Sequence, residues 1–344
     1  MLREKSVNYA TQIISKYFNI LSSYKSINRK VYQVYLKFFQ HPWEGYKYRK
    51  RANLSDNDIL PINSYYYLGL VAIFRGEDDY LVEWIEFHKM MGVGHFILYD
   101  NGLEKSSTVL LKSYIEEGMV THIPFPDIPG LKDGRNAHTL SIQQMAYADF
   151  VKKFRSHFKF ILQLDIDEFL FPKSHNSITD ILKQFDDSKL ARIEVNWTNF
   201  GNSGHITKPS GLVINNFTKS GKNIVLQTVK SISNTRYLSH RFTYTNVHRF
   251  SHRFTIKDIF TKIIFGYPKI IKGKTANELF QLNHYITKSK EEFLLKLKTN
   301  KGGYMAGKET EENFIKLNDK LNSVENTTIF SFIPKIIKNI INNS

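Results

Sequence analysis

Three carboxylates follow an apolar segment in the middle of the chain. The segment FKFILQLDIDEFLFP, residues 158–172, places Asp165, Asp167 and Glu168 within four positions. A buried, unpaired carboxylate is energetically costly, so a buried cluster of this kind needs a compensating cation. On a strand, Asp165 and Asp167 would point to one face, and Ile166 and Glu168 to the other. Hard oxygen ligands suit Mg²⁺ or Mn²⁺, ions that also bind substrate phosphates.

Strands and helices alternate around this cluster. Strands are predicted in YYYLGLVAIF, VGHFILYDN, MVTHIPF and FKFILQL, and helices in DDYLVEWIEFHKMMG, STVLLKSYIEEG and NAHTLSIQQMAYADFVKKF. This alternation predicts an α/β domain with a mostly parallel sheet, which binds ligands beyond the carboxyl ends of its strands. The strand ends carry polar residues, namely Arg75 with Glu77, Asp100 with Asn101, and Asp165 with Asp167.

The remaining regions suggest three parts. Residues 1–62 are predicted as a helical, basic N-terminal extension, 63–300 as the α/β domain and 301–344 as a helical C-terminal tail. Within the domain, GLVINNF and NIVLQTVKSI are predicted to form a hairpin. The segment QLNHYITKSKEEFLLKLK is predicted as a strand entering a helix.

Composition excludes several kinds of protein. The chain has 344 residues, of which 42% are hydrophobic and 23% charged, as in a globular protein. It has no cysteine, which excludes disulfides, thiolate zinc sites and cysteine nucleophiles. The net charge of +16 is concentrated in residues 1–51 and 219–274. Such blocks suit a polyanionic partner or form a solvated lysine-rich face.

Four segments carry a resemblance to a known family. They are VAIFRGEDDYLVEWIEFHKMMGVGHFILYDNG, LQLDIDEFLFP, VNWTNFGNSGH and NHYITKSKEEFLLK, in this order between about residues 68 and 300. The chain resembles glycosyltransferase family 92 and, more broadly, family 2-like GT-A enzymes that build bacterial surface polysaccharides. The resemblance implies a Rossmann-like GT-A domain that transfers a hexose, often galactose, from a UDP-sugar to a glycan hydroxyl with inversion. It also implies dependence on Mn²⁺ or Mg²⁺.

The resemblance also implies roles for individual residues. Asp165 and Asp167 would bind the metal, with His284 as a third protein ligand. The nucleotide would contact Arg75, Glu77, Asp100, Asn101 and Lys288, the lysine through the diphosphate. The alternatives are an ion pair between Arg75 and Glu77, and a turn-forming role for Asp100 and Asn101.

An inverting transferase needs a general base, and carboxylates usually serve. Glu194 and His205 are the predicted catalytic residues, with His240 and His248 as rivals. Trp84 and His88 are predicted to be structural. Lys132 and Arg135 could contact phosphate from their loop, and Trp197 could stack on a sugar or pack in the core.

The predicted location is cytoplasmic, with peripheral binding at the inner face of the membrane as an extension of that hypothesis. No apolar run is long enough to span a bilayer. A basic segment, 236–275, and the tail FIPKIIKNIINN mix Ile and Phe with Lys, which suits either anionic lipid or a helix packed on its own domain. The expected partners are a UDP-sugar and a glycan or lipid-linked glycan, and not nucleic acid. A nucleic-acid-binding protein, a metal-dependent nuclease and a non-catalytic membrane-associated scaffold are the alternative functions.

Overall fold

The computed structural model describes residues 62, 64–102, 105–126, 141–186, 188–222, 228–238, 247–250, 269–298 and 311–342. The predicted N-terminal extension therefore lies outside the described residues, except for Ile62. Most of the basic segment 236–275 is outside them as well, together with Lys132, Arg135 and His240.

The first half of the sheet is parallel, as predicted. Its strands lie in the order β3-β2-β1-β4, and helices connect them. The bounds in chain order are β1 Tyr66–Phe74, α1 Asp78–Met90, β2 His95–Asp100, α2 Lys105–Glu116, β3 Val120–Pro124, α3 Ile142–Lys153 and β4 Phe158–Gln163. Nearly continuous apolar runs form these strands because helices cover both faces of the sheet.

The second half of the sheet is mixed. The sheet continues through β8-β6-β10-β5, with β9 also paired to β6, and β7 and β11 form a separate two-stranded sheet. The bounds are β5 Glu168–Pro172, α4 Ile178–Lys183, β6 Leu190–Asn199, α5 Val213–Asn216, β7 Lys219–Ser220, β8 Val229–Asn234, β9 Lys269–Lys272, α6 Lys274–Leu279, β10 Phe280–His284, α7 Lys290–Lys298, α8 Glu311–Leu321, β11 Val324–Glu325 and α9 Ile333–Asn342.

The predicted hairpin after β6 is wrong, because its first half is the short helix α5. The carboxylate of Glu83, on α1, accepts hydrogen bonds from the backbone N–H groups of Val213 and Ile214 at 2.8 and 3.1 Å. A carboxyl group that accepts from the first N–H groups of a helix stabilises the helical turn, because these N–H groups have no partner within the helix. This long-range contact overrides the strand preference of the sequence LVINNF.

Two apolar layers enclose the sheet. One contains Trp84 and Phe87 of α1 with Phe169, and the other contains Tyr147 and Phe150 of α3. Helix α9 packs against α1, so the predicted tail helix is present and joins the domain. No helix in the described part of the chain has the length and apolarity needed to cross a membrane.

Candidate functional site

A tight turn joins β4 to β5 and contains the acidic cluster. The N–H of Glu168 donates to the carbonyl of Asp165 at 3.1 Å, and the N–H of Asp165 donates to Oε2 of Glu168 at 3.0 Å. The indole of Trp84 donates to both carbonyls, at 3.1 Å for Asp165 and 2.9 Å for Glu168. The expectation that Glu168 faces away from Asp165 is therefore wrong, because the chain turns here and the alternation of a strand does not apply.

Both carboxylate oxygens of Asp165 contact the protein. Oδ1 accepts a hydrogen bond from Gln143 at 2.8 Å, and Oδ2 lies 2.7 Å from Nζ of Lys230. Lys230 is buried and also lies 3.4 Å from Oε2 of Glu168. Sequence reasoning missed both partners. A lysine at the end of the apolar stretch NIVLQTV was the available signal, but it does not say which carboxylate the lysine contacts.

Asp167 points toward β10 and α7. Its Oδ1 lies 3.7 Å from Nε2 of His284, and its Oδ2 lies 3.2 Å from Nζ of Lys296. His284 lies opposite Glu168 in the register of β5 and β10. Burial by itself would raise the pKa of Asp167, but Lys296 and then His284 and Lys288 more than offset this, so the pKa lies below its usual range.

His284 has the orientation that metal binding requires. Its Nδ1 lies 2.8 Å from Oδ1 of Asn199, an acceptor, so Nδ1 carries the proton and Nε2 faces Asp167 with a free lone pair. Burial lowers the pKa of His284 to about 4, despite the nearby carboxylate of Asp167. The ring is therefore neutral at pH 7, the form that binds metal.

The residues present fit a divalent cation. One ligand atom from each of Asp167, Glu168 and His284 lies within 4.8 Å of the other two. Oε1 of Glu168 is buried and has no hydrogen-bond partner among the described residues. Burial raises the pKa of Glu168 well above its usual range, although Lys230 opposes this shift. Of the predicted ligands, Asp167 and His284 are together, whereas Asp165 lies on the Lys230 side of the turn.

Lys288 and Glu77 are close enough to Asp167 for their charges to interact with its carboxylate. Lys288 has a left-handed backbone, with φ of 50°, and its Nζ lies 3.7 Å from the ring centroid of Tyr80. Burial lowers the pKa of Lys288, and it raises the pKa of Glu77. Arg75, at the end of β1, is exposed. The chain therefore brings predicted nucleotide-binding residues to the edge of the sheet that holds Asp167.

Asp100 and Asn101 stabilise the loop after β2. Oδ1 of Asp100 accepts from the N–H of Gly102 at 2.9 Å, and its Oδ2 lies 3.0 Å from Nε2 of His122. The side-chain amide of Asn101 donates to the carbonyl of Phe125 at 2.8 Å. These contacts agree with the alternative role of Asp100 and Asn101, which is turn formation. Their role in nucleotide binding stays a prediction.

The predicted general bases lie in different surroundings. Glu194 is buried in β6 and contacts Arg192 at 2.6 Å and Arg249 at 3.5 Å. Nε2 of His205 lies 3.1 Å from the carbonyl of Asn216. The ring of His248 packs on Trp197, and Trp197 in turn lies 4.1 Å from His284, centroid to centroid. Burial lowers the pKa of His248 to about 4, with Lys230 contributing.

Trp84 and His88 are structural, as predicted. Trp84 is buried and binds the acidic turn through its indole N–H. The Nδ1 of His88 lies 2.9 Å from the carbonyl of Trp84, and its Nε2 faces the N–H of Leu170 at 3.4 Å. Backbone groups thus occupy both ring nitrogens, which argues against His88 as a metal ligand.

A parallel half-sheet, a mixed half-sheet and an acidic turn at their junction define a GT-A-type transferase domain. The sequence profile of glycosyltransferase family 92 matches residues 71–339. The chain belongs to glycosyltransferase family 92, which confirms the predicted family, fold class and enzyme class. Family membership favours the transferase over the nucleic-acid-binding, nuclease and scaffold alternatives.

Solved structures give distant matches, and no curated protein sequence gives a significant one. The S. aureus TarS 1–349 structure has a TM-score of 0.36 and 10% identity, with 74% of this chain and 70% of that one covered. A separate match to the longer TarS chain covers 72% of this chain and 41% of that one. Glucosyl-3-phosphoglycerate synthase from Mycobacterium tuberculosis has a TM-score of 0.33 and 10% identity, covering 68% of this chain and 76% of that one. Similarity at this level carries no information on substrate.

Proposed function

We propose that this glycosyltransferase moves a hexose from a UDP-sugar to a glycan hydroxyl, with inversion and with Mn²⁺ or Mg²⁺ as cofactor. The observation that supports the metal is the convergence of Asp167, Glu168 and His284, with an unpartnered, buried carboxylate oxygen on Glu168. These side chains lie beyond the end of β4, where nucleotide-binding sheets hold their ligands.

Asp167, Glu168 and His284 would hold the cation. Asp165, the other ligand that the sequence predicts, would reach it only if Lys230 released its carboxylate. A divalent cation bound there supplies positive charge to the leaving diphosphate. Lys288 would bind the same diphosphate, because its ammonium is close enough to Asp167 for their charges to interact and therefore lies beside the proposed metal site. Arg75, Glu77, Asp100 and Asn101 would line the nucleoside side, at the ends of β1 and β2.

The acceptor side of the proposal is less constrained by geometry. Glu194 and His205 are the proposed catalytic residues, with His248 as the rival. The charges of Asp165 and Lys230 both act on the ring of His248. The acceptor would be a glycan or lipid-linked glycan of a surface polysaccharide. A cytoplasmic site at the inner face of the membrane suits such an acceptor. Helix α9 supports this location because Ile337 and Ile341 are 44% and 69% exposed beside Lys335 and Lys338.

The first experiment is thermal unfolding with UDP, with and without Mn²⁺. A ligand at 100 times its dissociation constant stabilises the native state by about 2.7 kcal/mol. We expect UDP to stabilise the protein only when Mn²⁺ is present, and Asp167→Asn to abolish the effect. Asp319→Asn, an exposed acid on α8, is the matched control and should respond like the wild type. A folded wild type that ignores UDP at every Mn²⁺ concentration would contradict the proposal.

The sugar and the reaction need a second experiment. A panel of UDP-sugars with Mn²⁺ should yield one that is hydrolysed or transferred, and the prediction names UDP-galactose first. The anomeric configuration of the product, followed by NMR, tests inversion directly. Product that retains the configuration of the donor would reject the inverting mechanism and with it the need for a general base.

A further inference from the structure

Lys230 is a buried cation inside the sheet. It lies near the start of β8, which pairs antiparallel with β4, so it reaches the turn that follows the end of β4. Its side chain is 1% exposed, and its Nζ lies 2.7 Å from Oδ2 of Asp165 and 3.4 Å from Oε2 of Glu168. A buried ammonium is unfavourable unless it is paired, and these two carboxylates pair it from both ends of the turn.

The position of Lys230 divides the acidic cluster into two sides. On one side, Asp165 and Oε2 of Glu168 face the ammonium. On the other side, Asp167 faces His284 and Lys296. Oε1 of Glu168, which lacks a partner among the described residues, is the oxygen left for the second side. The ammonium thus takes a place between two carboxylates that would otherwise suit a metal ion.

The surroundings of the ammonium resemble those of a small cation site. Gln143 donates to the other oxygen of Asp165 at 2.8 Å and also contacts the hydroxyl of Tyr147 at 3.2 Å. The carboxylate side chain of Asp165 is 32% exposed, whereas the side chains of Lys230 and Glu168 are 1% and 0% exposed, so the ammonium lies beneath a carboxylate that solvent reaches. The two oxygen atoms that face the ammonium, Oδ2 of Asp165 and Oε2 of Glu168, are hard ligands of the kind that Mg²⁺ and Mn²⁺ prefer.

We propose that Lys230 is a permanent internal cation that excludes metal from the place between Asp165 and Glu168 and confines the catalytic metal to the Asp167 and His284 side. The confinement rests on the proposed function, whereas the exclusion does not. Lys230 is on this view a positioning residue. It fixes the turn that carries Asp167 and does not itself contact the substrate.

The test is the number of Mn²⁺ ions bound without nucleotide, measured by titration with electron paramagnetic resonance. Lys230→Ala should bind about one more Mn²⁺ per chain than the wild type, because two carboxylates and an emptied space then suit the ion. Asp165→Asn/Lys230→Ala should bind the wild-type number. Lys159→Ala is the matched control. Lys159 lies on β4 of the same sheet and forms a 2.7 Å ion pair with Asp186.

A second measurement tests the cation itself. Ethylammonium should raise the melting temperature of Lys230→Ala and displace its extra Mn²⁺, whereas ethanol, of the same size and without charge, should do neither. The wild type should respond to neither compound. A Lys230→Ala protein with native near-UV circular dichroism and the wild-type number of Mn²⁺ ions would overturn the proposal.

Two further outcomes separate this proposal from the proposed function. If Lys230→Ala does not fold, Asp165→Asn alone decides: its Mn²⁺ affinity should fall by no more than the about 100-fold that an outer-shell partner contributes, and a larger loss, as for a direct ligand, would overturn the proposal. If the wild type binds no Mn²⁺ and Lys230→Ala binds one ion, the metal-dependent function fails while the exclusion by Lys230 is supported.

Discussion

At the scale of single residues, the contacts that a carboxylate already makes decide what else it can do. Asp165 and Glu194 are both acids near the candidate site, but each has a basic partner, Lys230 for the first and Arg192 for the second. Asp167 also has one, Lys296, at the longer distance of 3.2 Å. A bound cation and a diphosphate would replace the contact between Asp167 and Lys296. Lys296 is partly exposed and lies in the last turn of α7, so its side chain can turn toward solvent or toward the diphosphate.

Glu194→Gln tests the proposed general base at this scale. Removing a catalytic base lowers the turnover number by about 10²–10⁴-fold. We expect such a loss in kcat with the UDP- and Mn²⁺-dependent stabilisation unchanged. Steady-state assays with the best UDP-sugar measure kcat. The variants His205→Asn and His248→Asn are assayed in the same way for comparison. A kcat within threefold of the wild type, together with lower stability, would leave Glu194 as the partner of Arg192 and Arg249 only.

At the scale of elements, α1 connects the core to the acidic turn. The indole N–H of Trp84 donates to the carbonyls of both Asp165 and Glu168, which are the first and last residues of the turn. The helix therefore fixes the turn through its backbone carbonyls. Supporting hydrogen bonds of this kind are worth about 10–100-fold in metal affinity where they orient metal ligands.

Trp84→Phe removes this support while keeping an aromatic ring. We expect a loss of about 1–3 kcal/mol in the free energy of unfolding, because two buried carbonyls lose a donor. We also expect weaker Mn²⁺ binding, measured by titration. The control is Tyr114→Phe, which removes a buried 2.9 Å hydrogen bond between α2 and Glu86 of α1 and leaves the hydrogen bonds of Trp84 to the turn in place. Equal loss of stability with no change in Mn²⁺ affinity for Trp84→Phe would mean that β4 and β5 hold the turn alone.

The elements also show what a sequence can and cannot predict here. The strands and helices up to β4 could be predicted because long apolar runs and helical periodicity are local signals. The helix α5 could not, since its start depends on Glu83, more than a hundred residues earlier. The same applies to the site: the pairing of β5 with β10 puts His284 opposite Glu168, and the start of β8 puts Lys230 beside Asp165. Neither strand register nor a partner distant along the chain is a local property.

At the scale of the whole molecule, buried imidazoles make folding depend on pH. His88 is fully buried between α1 and β5, and burial lowers its pKa to about 3. The unfolded chain has a histidine pKa of about 6.5, so between these values the unfolded state binds a proton that the folded state does not. The contribution of His88 to stability is therefore complete above pH 6.5 and is lost as the pH falls toward 3.

His88→Gln should flatten this dependence. Each histidine of this kind contributes a slope of up to about 1.4 kcal/mol per pH unit to the free energy of unfolding. Urea unfolding of wild type and variant from pH 7.5 to 5 measures the slope, and His175→Gln, at a half-buried histidine, is the control for the substitution itself. The variant will lose some stability at pH 7.5, because two backbone contacts change. It is the difference between pH 7.5 and 5 that decides, and a variant with the wild-type slope would show that His88 is protonated in the folded protein at moderate acidity.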